Sequence, residues 1–390
     1  MITRENIRDL ANFECPEGCA VSFYFQPRTP QNKSHREEAI LVKDLVREAM
    51  REAEKSGRNG SPRADLERIA ALAEGLRGNH ARGRAIFACA SKNLWQEFDL
   101  PPRLPETRLF VNRRFHLKPL AAIGDALSRT CVLVIDRTRA RIFELWLDEV
   151  TEKEDFINSL PRRGRSDGWG GYDAGHAERH VGNEAMQFFK QMSDRLRELQ
   201  EAGYERFWIG CREETWPEIE HHLHPYVQQR LAGHFSADPA TVTGEEIRRQ
   251  VDQLTEQQAA GRRRDLVRGV IAESSRDARG ALGLKRVLEA LETREAQILL
   301  LSEKFSAAGA QCPNCGHLDA GVPANCALCG HPASEFDDIS DAVLARAVQN
   351  GIEVVYIKDE PEMAELSRYD GIAALLRFRA DQNTEMRKAG

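Results

Sequence analysis

The sequence predicts a multidomain α/β protein of three domains, and three observations carry that expectation. Its 390 residues exceed what one hydrophobic core usually organises. From residue 283 onward helical and strand periodicities alternate, and the strands are apolar on both faces, as in a sheet covered by helices on each side. Two cysteine pairs, Cys312-Pro-Asn-Cys315 and Cys326-Ala-Leu-Cys329, interrupt that alternation in a hydrophilic stretch. The expected plan is a first domain over 1–127, a mixed-sheet α/β domain over 128–278, and an α/β/α sandwich over 279–390 with a zinc knuckle insertion at 312–329.

In the first domain, Ser34-His-Arg-Glu37 reads as a capping box before a helix striped with Leu41, Val42, Leu45, Val46, Ala49 and Met50. The glycines of 56–60 break it, and Ser61-Pro62 opens a second helix with Leu66, Ile69, Leu72 and Leu76 inward. Arg84–Cys89 reads as a short buried strand. The middle domain opens with Cys131–Ile135 and Ala140–Leu147, two β-rich runs across the polar turn Asp136-Arg-Thr-Arg139, hence a hairpin. Composition then shifts sharply over 148–183. A helix is expected over 183–202, a strand at Phe207–Ile209, a helix capped at Thr215, and a long charged helix from Thr243-Gly-Glu-Glu246 to about Ser274. The third domain reads as helix 283–292, strand 297–301, the cysteine loop, helix 339–349, strand 352–357, a short helix at 362–366 and strand 372–378.

The 41% hydrophobic content indicates a globular chain, and no uninterrupted apolar run is long enough to span a bilayer. Met1-Ile-Thr-Arg-Glu-Asn has no charged-then-apolar leader, so a cytoplasmic location is expected. A net charge of -6 argues against indiscriminate coating of nucleic acid, while leaving room for a local basic patch. Of nine cysteines, Cys15, Cys19, Cys89, Cys131 and Cys211 lie outside the two pairs, an odd remainder that reads as reduced thiols. Cys15 and Cys19 have the look of half a metal site, but no second half stands near them in the sequence.

The two CxxC pairs stand ten residues apart, each followed by glycine, Gly316 or Gly330. Tight turns of that kind let both thiolates of a pair reach one ion, and zinc favours four thiolates in a tetrahedron. Such a closed shell leaves no position for substrate, so Cys312, Cys315, Cys326 and Cys329 are expected to hold a structural zinc that orders the loop.

Within an expected loop at 161–175, Pro161–Tyr172 holds four glycines, three arginines and no aliphatic residue. It cannot bury itself and reads as exposed. Arg162, Arg163 and Arg165 suit rRNA phosphates, with a solvated basic loop as the plainer alternative. Trp169 and Tyr172 suit stacking on unpaired bases or, equally, pinning the loop to its own domain. His176 and His180 do not follow the order of a zinc protease, and His221, His222 and His224 read as a polar helical face. Arg262-Arg-Arg264 reads as a solvated stretch that can alternatively touch rRNA. No P-loop, serine elbow or paired carboxylates stand out.

Several of these stretches carry a resemblance. Gly283-Leu-Lys-Arg-Val-Leu-Glu-Ala-Leu291, Gln297-Ile-Leu-Leu-Leu-Ser302, the cysteine pairs, Gly351–Tyr356 and Gly371–Arg377 resemble the third domain of archaeal and eukaryotic class-1 release factors and their relative Pelota. That domain shares the fold of the ribosomal protein L30 and L7Ae group. Phe115–Leu120, Val132–Asp136 and Arg141–Leu145 are similar to the junction of the family's first two domains. Release factors carry Gly-Gly-Gln on the middle domain's loop, and the matching position here reads Gly170-Gly171-Tyr172. Tyrosine has no amide, and the first domain carries no Asn-Ile-Lys-Ser motif, so stop-codon-dependent release is not expected.

The resemblance instead implies a tRNA-shaped factor that enters the ribosomal A site, similar to bacterial hibernation factors of this superfamily that occupy idle ribosomes and arrive with elongation factor Tu. The expected partners are the ribosome, through its rRNA and A site, and elongation factor Tu or another translational GTPase. Neither a membrane nor DNA is expected. The alternative is a rescue factor that hydrolyses peptidyl-tRNA through Gly170, Gly171 and Tyr172, using the backbone N–H at 172 to organise water.

Overall fold

The computed structural model describes residues 2, 4–15, 17–27, 36–55, 62–72, 83–100, 106–122, 128–146, 149–158 and 173–379, with backbone alone for 4, 121, 122 and 173–182. The chain forms two compact units, one of residues 1–124 with 259–390 and the other of 125–258.

In the first unit, β1 (Ala20–Phe25), β2 (Gly83–Cys89), β3 (Leu94–Leu100) and β4 (Arg108–Asn112) form an antiparallel sheet in the order β3-β2-β1-β4. Alternate residues Val21, Phe23 and Phe25 of β1, with Ile86 and Ala88 of β2, face helices α2 (Arg36–Lys55) and α3 (Arg63–Leu72). The buried stripe of α2 is Val42, Val46, Ala49 and Ala53, at helical spacing. Leu41, expected inward, is 46% exposed, because the stripe that faces the sheet starts one residue later. In α3, Leu66 and Ile69 are buried as expected. Ser34, the glycine break at 56–60 and Leu76 lie outside the described residues.

The same unit holds the sandwich. Its sheet has the order β10-β16-β11-β15, built from β10 (Gly280–Leu282), β11 (Ala296–Ser302), β15 (Glu353–Ile357) and β16 (Ile372–Leu376). Strand β11 runs parallel to β15 and antiparallel to β16. Leu299 and Leu301 pack against Val287 and Leu291 of α9 (Leu284–Glu292) and Val343 and Ala347 of α10 (Ser340–Gln349). On the opposite face, Ile298 and Leu300 meet Val267 and Val270 of α8 (Gly244–Ser275) and Met363 and Leu366 of α11 (Glu360–Ser367). Burial on both faces explains why these strands are continuously apolar. Helix α1 (Arg4–Asn12) packs against α10, and α4 (Lys118–Ala122) beside β15. Polar bonds tie these segments together: His116 Nδ1 lies 2.9 Å from an Asp341 carboxylate oxygen, and Lys118 donates to the Phe305 carbonyl at 2.7 Å.

The second unit is a mixed five-stranded sheet in the order β7-β6-β5-β8-β9. Strands β5 (Thr130–Ile135) and β6 (Arg139–Trp146) make the expected hairpin, with Asp136 accepting from the backbone of Thr138 and Arg139 across its turn. Strand β8 (Arg206–Cys211) runs parallel to β5, and β9 (Leu231–Ser236) runs parallel to β8. Two strands depart from the sequence reading. Strand β7 (Glu149–Ile157) lies in the stretch 148–183 where only a shift of composition was read, and β9 was not anticipated. Helix α5 (Asp173–Glu201) also begins about ten residues before the expected 183. Thr243 and Glu246 form the expected reciprocal cap of α8: the Thr243 N–H donates to Glu246 at 2.9 Å, and the Glu246 N–H donates to the Thr243 hydroxyl at 3.3 Å.

Candidate metal centre

The two halves of the cysteine loop are built alike. In the first, the Gly316 N–H donates to the Cys312 carbonyl at 2.8 Å and the Cys312 N–H to His317 at 2.9 Å. In the second, the Gly330 N–H donates to Cys326 at 2.9 Å and the Cys326 N–H to His331 at 2.7 Å. Gly316 and Gly330 sit at φ 76° and 74°, left-handed values that turn the chain back over its own thiols. Strands β12 (Gly309–Gln311), β13 (Leu318–Asp319) and β14 (Ser334–Phe336) form a small sheet around this loop.

The sulfurs of Cys312, Cys315, Cys326 and Cys329 all lie within 4.8 Å of one another. Two separations, Cys312 to Cys329 at 3.4 Å and Cys315 to Cys326 at 3.6 Å, approach the edge of about 3.8 Å that a tetrahedron with Zn–S near 2.3 Å requires. The Asn314 amide lies 3.6 Å from Cys329 Sγ and the Leu328 N–H lies 3.4 Å from Cys326 Sγ, donors that favour thiolate. The His331 backbone N–H, followed by Asn314, holds the Cys329 thiol down at about 6. Between residues 313 and 338 only Leu318 and Cys326 are buried, too little apolar surface to order the loop without an added tie. The donor set therefore fits a four-coordinate metal with no open position. Outside the loop, Glu292 accepts from the Leu318 N–H at 3.0 Å, and Arg346 donates to the Gly316 carbonyl at 2.6 Å, both anchoring the loop to sandwich helices.

A second cysteine group was only half visible in the sequence. Cys15 and Cys19 form a disulfide, which corrects the expectation of reduced thiols, and the fold brings Cys89 to 3.3 Å from Cys19 Sγ. Seventy residues separate Cys19 from Cys89, so only the antiparallel pairing of β1 with β2 reveals the group.

Arg162, Arg163, Arg165, Trp169, Gly170, Gly171 and Tyr172 lie outside the described residues, in the connection between β7 and α5. His176 and His180 lie on α5, and their side chains are likewise undescribed. His224 caps α7 (Pro225–Gln228) by accepting from the Tyr226 N–H. The basic triplet is largely committed inside the protein. Arg262 makes a two-pronged pair with Glu353 at 2.7 and 2.9 Å, and buried Arg263 pairs with Asp359.

Fold and site together define a multidomain α/β protein with a four-cysteine knuckle inserted in its sandwich. Residues 116–260 match the family model of the bacterial archaeo-eukaryotic release factor family 10. Among solved structures it is similar to the archaeal translation termination factor aRF1, with 16% identity over 97% of this chain and 99% of that one and a TM-score of 0.26. It is also similar to Archaeoglobus fulgidus Pelota, with 13% identity, 97% and 93% coverage and a TM-score of 0.34. For Saccharomyces cerevisiae Dom34, a translation termination-like factor, the values are 12%, 76% and 79%, with a TM-score of 0.43. The search of curated proteins found no match.

Proposed function

We propose that this protein is a ribosome-associated factor that binds the A site as a tRNA-shaped mimic, in hibernation or stress protection, without stop-codon-dependent release. The observation that carries the reading is the family match over 116–260, which spans the second unit and the whole connection between β7 and α5. In that connection the family's hydrolytic tripeptide is replaced by Gly170-Gly171-Tyr172. Tyrosine has no amide and is larger than glutamine, so the side chain that release chemistry uses is lost. Arg162, Arg163 and Arg165 are the groups assigned to rRNA phosphates, and Trp169 and Tyr172 the groups assigned to unpaired bases. Zinc at Cys312, Cys315, Cys326 and Cys329 has a structural role, holding the loop that projects from the sandwich. A cytoplasmic location and delivery by elongation factor Tu or another translational GTPase complete the reading. Among the described residues no helix is long and apolar enough to cross a membrane.

The test incubates the protein with ribosomes that carry peptidyl-tRNA in the P site. Binding by co-sedimentation with no peptide release above the spontaneous rate is expected. Release that disappears in Gly171→Ala would show instead the hydrolytic rescue reading. Failure to co-sediment at moderate salt overturns both.

A further inference from the structure

We propose that Cys15, Cys19 and Cys89, with the Ser91 hydroxyl at the fourth corner, form a second metal site in the reduced protein, one that takes a thiophilic ion such as zinc and that the Cys15–Cys19 disulfide abolishes. The site is independent of the knuckle and of the ribosomal reading. All three cysteines are buried, at 1%, 0% and 0% exposure. The Ser91 hydroxyl lies 3.2 Å from Cys19 Sγ, 3.3 Å from Cys89 Sγ and 3.9 Å from Cys15 Sγ. With the 3.3 Å between Cys19 and Cys89, these separations lie within about 0.5 Å of the edges of about 3.5–3.8 Å expected around a four-coordinate zinc with sulfur and oxygen ligands. A disulfide alone requires neither a third thiol nor a hydroxyl directed at it. Four donors converging on one point are what a metal shell requires, and soft thiolates select zinc or cuprous copper.

The backbone delivers these donors from separate segments. Cys15 follows α1, and its N–H donates to the Arg113 carbonyl at 2.8 Å. The Gly18 N–H donates to Cys15 at 2.9 Å with φ 73°, a tight turn like those of the knuckle, and Cys19 directly precedes β1. Cys89 ends β2, and Ser91 sits in the 3₁₀ turn Ala90–Lys92 that follows. Buried Asp65 of α3 clamps that turn by accepting from the Ala90 N–H at 2.7 Å.

Oxidation by a peroxide would disassemble the site. The Cys15 and Cys19 thiolates each give up one electron to form the S–S bond. The peroxide O–O bond breaks, taking both electrons and two protons to leave as two waters. The metal loses two of its three sulfurs and departs as the divalent ion, and a dithiol reverses the step by exchange.

The test counts zinc in the full-length protein by elemental analysis after loading with zinc under a phosphine reductant and desalting. Reduced wild type is expected to hold one zinc per chain more than wild type whose Cys15–Cys19 disulfide has been formed and mapped by mass spectrometry. Reduced Cys89→Ser is expected to lack the same equivalent while keeping the knuckle's. The difference between states is what is read, so failure of the knuckle assignment leaves the test intact. The wild-type comparison needs no variant to fold. Equal zinc in the reduced and disulfide forms overturns the proposal, as does a reduced Cys89→Ser that binds as much as wild type.

Discussion

At the scale of single residues, the knuckle's two glycines separate two costs that usually arrive together. Both sit at left-handed φ, which for alanine costs about 1 kcal/mol. A Cβ at Gly330 meets nothing within 4 Å, whereas one at Gly316 would come within 3.1 Å of the Arg346 guanidinium that holds the Gly316 carbonyl. Gly330→Ala is therefore expected to cost about 1 kcal/mol. Gly316→Ala should cost more, because it also displaces the arginine that anchors the loop. Competition with a chelator for bound zinc ranks the two, and equal zinc affinities would show that Arg346 simply moves aside.

Arg263 and Asp359 allow a second prediction at this scale. The Arg263 side chain is 9% exposed and that of Asp359 28%, so the pair lies between a surface bridge and a buried one. Arg263→Met is expected to lower stability by about 2 kcal/mol, above the value of an exposed pair and below that of a fully buried one. The Arg263 hydrogen bond holds the Asp359 carboxyl below its ordinary range. A depressed acid stabilises the fold above its unfolded pKa and loses that contribution as pH falls through the folded value. Urea unfolding should therefore show the difference between wild type and Arg263→Met at neutral pH, shrinking in acid below the normal aspartate range.

At the scale of elements, what could be read in the sequence follows how each element is stabilised. The sandwich strands were legible because apolar burial on both faces leaves its mark on every residue, and the reciprocal cap of α8 was legible because it is local. Strand β7 was not, because its sequence Glu-Val-Thr-Glu-Lys-Glu-Asp-Phe-Ile has only Val150, Glu154 and Phe156 half-buried. Its cohesion comes from charged partners, Arg139 on Asp155 and Arg141 on Glu152 from the neighbouring strand and Arg195 of α5 on Glu154, which no periodicity encodes. Cys89 escaped for the same reason, since its partners are set by strand pairing rather than by spacing. These pairs differ in a way that can be measured. Arg141 is 14% exposed and also donates to the Pro239 and Val242 carbonyls, at 3.2 and 2.9 Å, whereas Arg139 is 34% exposed and pairs with the Asp155 carboxylate. Arg141→Ala is expected to cost about 2 kcal/mol in urea unfolding, since it strands partly buried carbonyls, and Arg139→Ala less than about 1 kcal/mol.

At the scale of the whole molecule, a net charge of -6 and a proposed site on rRNA are compatible only where positive charge is local. On the long helix, Arg262 and Arg263 are paired with Glu353 and Asp359. The connection between β7 and α5 holds Arg162, Arg163 and Arg165 close together in the sequence. Each phosphate neutralised by a cation releases counterions, so the logarithm of affinity falls with the logarithm of salt by about 0.7–0.9 per contact. Replacing all three arginines with glutamine is therefore expected to flatten the salt dependence of ribosome binding by about 2–3 in slope, and to weaken binding most at low salt. Gly171→Ala, which removes no charge, should leave the slope where it was. Titrating labelled protein against 70S ribosomes across a series of potassium concentrations measures both. A slope unchanged in the triple variant would mean that the arginines meet no phosphate, and that recognition of the ribosome lies on another face of the chain.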